Sequence, residues 1–96
     1  MAGPPKVSVL MPAYNAGRFL APSVDSILGQ TFDDFEFIVI DDGSTDGTYE
    51  RLLAYGDPRM RVHRMPENVG IVKALNHGLD LAKGRYLARM DADDIA

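Results

Sequence analysis

The sequence predicts an α/β domain with a mostly parallel sheet and helices on both of its faces. Three observations carry that prediction. Strand-like and helix-like runs alternate along the chain. One strand-like run, 35–40, is almost continuously apolar, as expected for a strand covered on both sides. Turn-forming Gly, Pro and Asp clusters separate the runs, with no linker, internal repeat or low-complexity stretch between them.

In chain order, Val7-Ser8-Val9-Leu10-Met11 is a short β-rich strand stopped by Pro12. From about Phe19 to Leu28, the apolar residues Phe19, Leu20, Val24, Ile27 and Leu28 follow helical spacing. Pro22 fits only the first turn of that helix, and Gly29 is its stop. Phe35 to Ile40 forms the second strand and runs into Asp41-Asp42-Gly43-Ser44-Thr45-Asp46-Gly47. That turn offers Ser44, Thr45 or Asp46 as the N-cap of a helix ending at Leu53. Asp57-Pro58 is a turn before a weaker, alternating strand from Met60 to Met65. Ile71, Leu75, Leu79 and Ala82 predict a third helix, ended by Gly84, and Arg85 to Met90 is the fourth strand. A βαβαβαβ order with right-handed crossovers makes the strands parallel.

Composition narrows the class. Ninety-six residues allow one small domain, and a 46% hydrophobic, 25% charged chain is an ordinary globular one. No apolar run approaches the ~20 residues of a membrane span, and Met1-Ala2-Gly3-Pro4-Pro5-Lys6 lacks the apolar core of a signal peptide. A cytoplasmic location is expected, with membrane association left to segments outside these residues. The absence of cysteine excludes a disulfide framework and thiolate metal ligands. A net charge of −4 argues against nucleic acid as a partner. Eleven of the 14 acidic residues are Asp, a residue of turns, caps and metal sites.

Those Asp residues fall where ligands of open parallel sheets bind, beyond the carboxyl ends of the strands. Pro12-Ala13-Tyr14-Asn15 follows the first strand, Asp41-Asp42 the second, and Asp91-Ala92-Asp93-Asp94 the fourth. With the fourth strand beside the first, all three segments would line one crevice. Crowded carboxylates repel, and a hard divalent cation such as Mg²⁺ or Mn²⁺ relieves the repulsion while binding phosphate oxygens. A chain this rich in Asp contains about one Asp-x-Asp match by chance, so the place of Asp91 and Asp93, not their pattern, recommends them. Asp41-Asp42 is either turn chemistry or an acceptor for the imide N–H of a uracil ring. Tyr14 is either a packed tyrosine or a stacking surface for a base. Lys73 and Arg18 are either phosphate contacts or solvated helix residues. His63 and His77 read as structural.

Taken in order, the quoted segments resemble the N-terminal, nucleotide-sugar-binding half of a family 2 glycosyltransferase with a GT-A fold. They are Val7 to Asn15, Ser26-Ile-Leu-Gly-Gln-Thr-Phe32, and Phe35 to Thr48, followed by Glu67-Asn-Val-Gly70, Ala74, Asn76, Gly78, Ala82, Gly84-Arg-Tyr86 and Asp91-Ala-Asp-Asp94. No single motif is diagnostic; the ordered set is. The resemblance implies a Rossmann-like, truncated GT-A sheet of order 3-2-1-4. It places Pro12, Ala13 and Tyr14 at the nucleobase, Tyr14 against the ring, with Asp42 and less directly Asp41 at the base edge. Asp91 and Asp93 become the DxD pair, Asp93 on the metal and Asp91 on the ribose or metal, and Lys73 a phosphate contact. The implied reaction is inverting transfer of a sugar from a nucleotide diphosphate sugar, expected to be a UDP-sugar, to a hydroxyl of a glycan or glycoconjugate. No residue here matches the family's general base, which is expected beyond residue 96. The 96 residues are thus expected to be a donor- and metal-binding half, inactive alone, that self-associates through the apolar surface beside the fourth strand.

Two other classes compete. A binding-only module would hold nucleotide or metal without turnover. A Mg²⁺-dependent phospho-acceptor domain also gathers strand-end Asp residues, but its acidic pair would follow the first strand, and here the pair follows the second. A dinucleotide-binding dehydrogenase fails at the first turn, where Pro12 to Arg18 holds only Gly17.

Overall fold

Four strands, β1 (Val7–Ala13), β2 (Phe35–Asp41), β3 (Met60–Arg64) and β4 (Tyr86–Arg89), pair in parallel in the spatial order β3-β2-β1-β4. The computed structural model describes residues 5–30 and 34–90. The helices are α1 (Leu20–Leu28), entered through a 3-10 turn at Gly17–Phe19, α2 (Thr48–Leu53) and α3 (Ile71–Leu81). The order is the one the family resemblance implied.

Strand β2 is the centre of the fold because it is paired on both edges. It runs alongside β1 from Val7↔Phe35 to Ala13↔Asp41, and alongside β3 from Phe37↔Met60 to Asp41↔Arg64. All seven of its residues are buried. Successive side chains point to opposite faces. Phe35, Phe37 and Val39 therefore meet Met11 and Ala13 under α1 (Leu20, Val24, Ile27) and α2 (Leu52). Ile38 and Ile40 join Leu10 under α3, packed by Ala74 with Leu75 and Leu81. Each such buried aliphatic or aromatic side chain stabilises the fold by about 1.5–3 kcal/mol.

Pro12 does not stop β1; it lies inside the strand, opposite Ile40. The hydrogen bonds explain why. Backbone groups of even-numbered β1 residues face β4, as in Tyr86 N–H to Lys6 C=O and Met90 N–H to Leu10 C=O. The missing N–H of Pro12 falls on that side, past the last β1–β4 pair, Leu10↔Arg89, and no bond within the paired stretch is lost.

Helix α3 also differs from its expected stripe. Leu79 is 45% exposed, and the packing face is Ala74 and Gly78. A Cβ on Gly78 would lie 3.2 Å from Leu10 Cδ2 and 3.4 Å from Ile40 Cγ1, so a residue without a side chain lets the helix lie close on the sheet. Gly84 does not end α3, which stops at Leu81 with Ala82 as its C-cap; a Cβ at Gly84 would instead be 2.5 Å from the Ser8 nitrogen. Helix α2 begins at Thr48 with Gly47 as its N-cap rather than Ser44, Thr45 or Asp46, and Asp46 Oδ1 accepts from the Thr48 N–H at 3.0 Å and from its hydroxyl. The edge strands are thinly covered. β3 is half-buried, and β4 is exposed throughout, its own Tyr86 and Leu87 half open to solvent. No helix among the described residues is long and apolar enough to cross a membrane.

Candidate functional site

The parallel register brings β1 and β2 to the same level at Ala13 and Asp41, and the turns that follow them are tied together. Asp42 N–H donates to the Ala13 carbonyl at 2.8 Å, Asn15 N–H to Ser44 Oγ at 2.9 Å, and Thr45 N–H to Asn15 Oδ1 at 2.8 Å. Asn15 holds a φ of 46°, a left-handed conformation that Asn tolerates better than most residues. That turn leaves the Tyr14 side chain 52% exposed at the end of β1.

Asp42 is buried and faces the start of α3. Its Oδ1 accepts from Val69 N–H at 2.8 Å and its Oδ2 from Gly70 N–H at 3.0 Å, so one carboxylate satisfies two donors where the helix begins and complements its positive end. Gly43 permits this approach: a Cβ on it would sit 2.7 Å from Asn68 N and 2.8 Å from Glu67 C. The result is a cleft of about 230 Å³ lined by Pro12, Ala13, Tyr14, Asp42, Asn68 and Gly70. A larger hollow of about 510 Å³, lined by Pro5, Lys6, Asp34, Lys83 and Arg85, lies at the amino ends of the strands, opposite the end where open parallel sheets bind ligands.

Asp41 does not line the cleft. As the neighbour of Asp42 along an extended chain it points to the other face of the sheet, fully buried. There its Oδ2 accepts from Ser44 N–H at 3.2 Å and lies 3.6 Å from Arg64 Nε. Arg64 in turn stacks on the Tyr49 ring at 4.8 Å and donates to the Ser44 carbonyl. Asp41 thus shapes the turn that carries Asp42. Lys73 is exposed on the first turn of α3 and does not line the cleft either.

Asp91 and Asp93 lie outside the described residues. The chain reaches them from Met90, whose N–H is bonded to Leu10, two residues before Pro12. Among the described residues no group of three His, Cys, Asp or Glu is placed to hold a metal ion. Each Asp42 oxygen accepts one backbone N–H, and Asp41 Oδ2 accepts from Ser44 N–H beside Arg64, while Asp41 Oδ1 is buried with no hydrogen-bond partner.

Asn68 and Gly70 were not singled out as site residues from the sequence. Both lie on the chain between β3 and α3, and the only local sign was a glycine, Gly70, just before a helix, where its φ of 94° suits no other residue.

Residues 8–96 match the sequence profile described as glycosyl transferase family 2. The chain belongs to that family. An uncharacterised glycosyltransferase of Haemophilus influenzae is 46% identical over 94 residues, covering 96% of this chain and 29% of its own length. Glycosyltransferase GlyG of Streptococcus pneumoniae is 42% identical, with 93% of this chain and 30% of that protein covered. Among solved structures, S. aureus TarS in complex with UDP superposes with a TM-score of 0.87 at 32% identity, over 94% of this chain and 28% of that one. The mannosyltransferase PcManGT of Pyrobaculum calidifontis, in complex with GDP-Man and Mn²⁺, gives a TM-score of 0.85 at 31% identity, over 97% and 29%. This family 2 chain therefore spans less than a third of the length of these relatives.

Proposed function

We propose that this chain is the donor-binding part of an inverting glycosyltransferase, and that its strand-end cleft receives the nucleobase of a nucleotide diphosphate sugar, a UDP-sugar in particular. The observation that carries the reading is an exposed Tyr14 ring and the Asp42 carboxylate on the walls of one cleft. Support comes from relatives of the same fold whose structures hold UDP or GDP-Man. Tyr14 offers a face on which a base stacks. Asp42 keeps a spare lone pair on each oxygen after serving Val69 and Gly70, enough to accept the imide N–H of uracil.

Asp93 and Asp91 would hold Mg²⁺ or Mn²⁺, Asp91 with a share in the ribose. From Met90 they are one and three residues away, a reach of roughly 3–10 Å along an extended chain. Such an ion, when bound, acts as a Lewis acid on the departing diphosphate. Lys73, on the first turn of α3 and outside the cleft, would meet a phosphate rather than the base. The acceptor hydroxyl and the general base belong to the acceptor-binding half of the transferase domain.

Calorimetric titration of the chain with UDP, with and without Mn²⁺, tests the reading. Tyr14→Ala should weaken UDP by about 5- to 150-fold, the equivalent of the ~1–3 kcal/mol of base stacking. Asp93→Ala should abolish the tightening by Mn²⁺ and leave metal-free binding intact. Unchanged UDP affinity in Tyr14→Ala would return that ring to an ordinary surface role.

A further inference from the structure

The cleft leaves one buried charge without a function. Glu36 sits on β2 at the opposite end of the sheet, 7% exposed, on the face covered by α3. Its Oε2 accepts from the Ser8 hydroxyl and from Lys83 N–H, both at 2.6 Å, and its Oε1 accepts from Arg61 Nη1 at 2.9 Å. The same Arg61 nitrogen donates to the Leu81 carbonyl at the end of α3, and Gly84 N–H donates to Ser8 Oγ at 2.7 Å. Three strands therefore converge on the short connector between α3 and β4. Gly84 is pressed so close that a Cβ would lie 2.5 Å from Ser8 N and 2.7 Å from Val7 C.

Strand β4 is an edge of the sheet among the described residues. It is four residues long, exposed throughout, and among the described residues pairs with β1 alone. Where it enters the sheet decides its register, and a slip of one residue would turn over every side chain and displace whatever follows by ~3.3 Å. Resting on the reading of Asp91 and Asp93 as metal ligands, we propose that Glu36 is a positioning residue. By gripping the α3–β4 connector it sets the register in which β4 delivers those two carboxylates to the nucleotide cleft. An apolar residue at 36 would leave the Ser8, Lys83 and Arg61 donors without a buried acceptor, and a neutral amide can accept at one oxygen only.

Amide hydrogen exchange and UDP titration on the 96-residue chain test this, with Glu36→Gln and the milder Ser8→Ala. Exchange should quicken tenfold or more at Gly84, Tyr86 and Met90, whose N–H groups bond Ser8, Lys6 and Leu10, and by less than threefold at Phe37 and Ala54. UDP alone should bind within twofold of wild type, whereas the extra affinity conferred by Mn²⁺ should fall at least fivefold. A role in general stability alone would quicken all amides together and leave the Mn²⁺ increment intact in the folded protein, which would overturn the proposal. So would wild-type exchange across β4 in either variant. Should Glu36→Gln not fold, Ser8→Ala decides. Should wild type show no Mn²⁺ increment, the metal reading of Asp91 and Asp93 fails on its own, and exchange still decides whether Glu36 holds β4.

Discussion

Replacing Asp42 by Asn separates its structural work from its contact with a base. The carboxylate now accepts two backbone donors, Val69 N–H at 2.8 Å and Gly70 N–H at 3.0 Å, in a site where only 4% of the residue meets solvent. An amide of the same size offers one oxygen and turns an NH₂ toward the other N–H. One charge-assisted bond, worth ~1.5–3 kcal/mol, is lost, and the second becomes a neutral bond of ~0.5–1.5 kcal/mol. Because both bonds share a single group their losses do not simply add, and about 2–3 kcal/mol is the expected cost. A domain of this size holds ~5–15 kcal/mol, so the variant should fold, with a Tm lower by roughly 10–20 °C. Urea unfolding followed by circular dichroism at 25 °C measures the difference, with Glu67→Gln, an exposed acid nearby, as the control for lost charge. That control should lie within ~0.5 kcal/mol of wild type. If Asp42→Asn matches it, the carboxylate does not hold the start of α3 and the cleft wall is built some other way.

Gly84→Ala should destabilise the chain by at least about 1–3 kcal/mol in the same assay, since its Cβ meets backbone atoms of Val7 and Ser8 that cannot swing aside. Gly78→Ala should stay within ~1 kcal/mol, because its Cβ meets only side-chain atoms, of Leu10 and Ile40, and gains helix propensity. Burial alone would raise the Glu36 carboxyl, but the Ser8 hydroxyl, the Lys83 N–H and Arg61 together hold it below its ordinary value. Its contribution to stability should be complete above about pH 4.3, where the unfolded chain titrates, and be lost as pH falls through the lower folded value; Glu36→Gln should flatten that acid limb. His63 is held below its ordinary value by burial first, then by the charges of Arg61 and His77. The unfolded chain takes up this proton near pH 6.5 while the folded chain resists it, so stability should decline as pH drops below about 6.5, and His63→Gln should remove that decline.

What could be read from the sequence follows a physical division between local and long-range effects. The buried run of β2 announced itself because a strand covered on both faces needs apolar residues in succession, and α1 because Pro22 and Gly29 bracket a helical stripe. Pro12 was misplaced for a reason no local rule supplies: whether a proline ends a strand depends on which neighbour its absent N–H would have faced, and hence on strand order. Leu79 and Gly78 exchanged roles because a glycine facing Leu10 and Ile40 brings α3 nearer the sheet than a leucine could. The adjacent aspartates show the same division within the site. Asp41 and Asp42 look alike in the sequence, yet strand alternation sends one beneath Arg64 and the other to the head of α3. Asn68 and Gly70 left almost no sign because their place in the cleft follows from the path of the chain between β3 and α3, and that path is set by what packs against it, here Gly43. The cleft is therefore made less by reactive side chains than by two glycines: Gly43, where a Cβ would meet the backbone of Glu67 and Asn68, and Gly70, whose φ of 94° leads the chain into α3. Side chains on that frame, Tyr14 above all, are the ones free to change with the ligand, whereas a substitution at Gly43 should disturb any ligand alike.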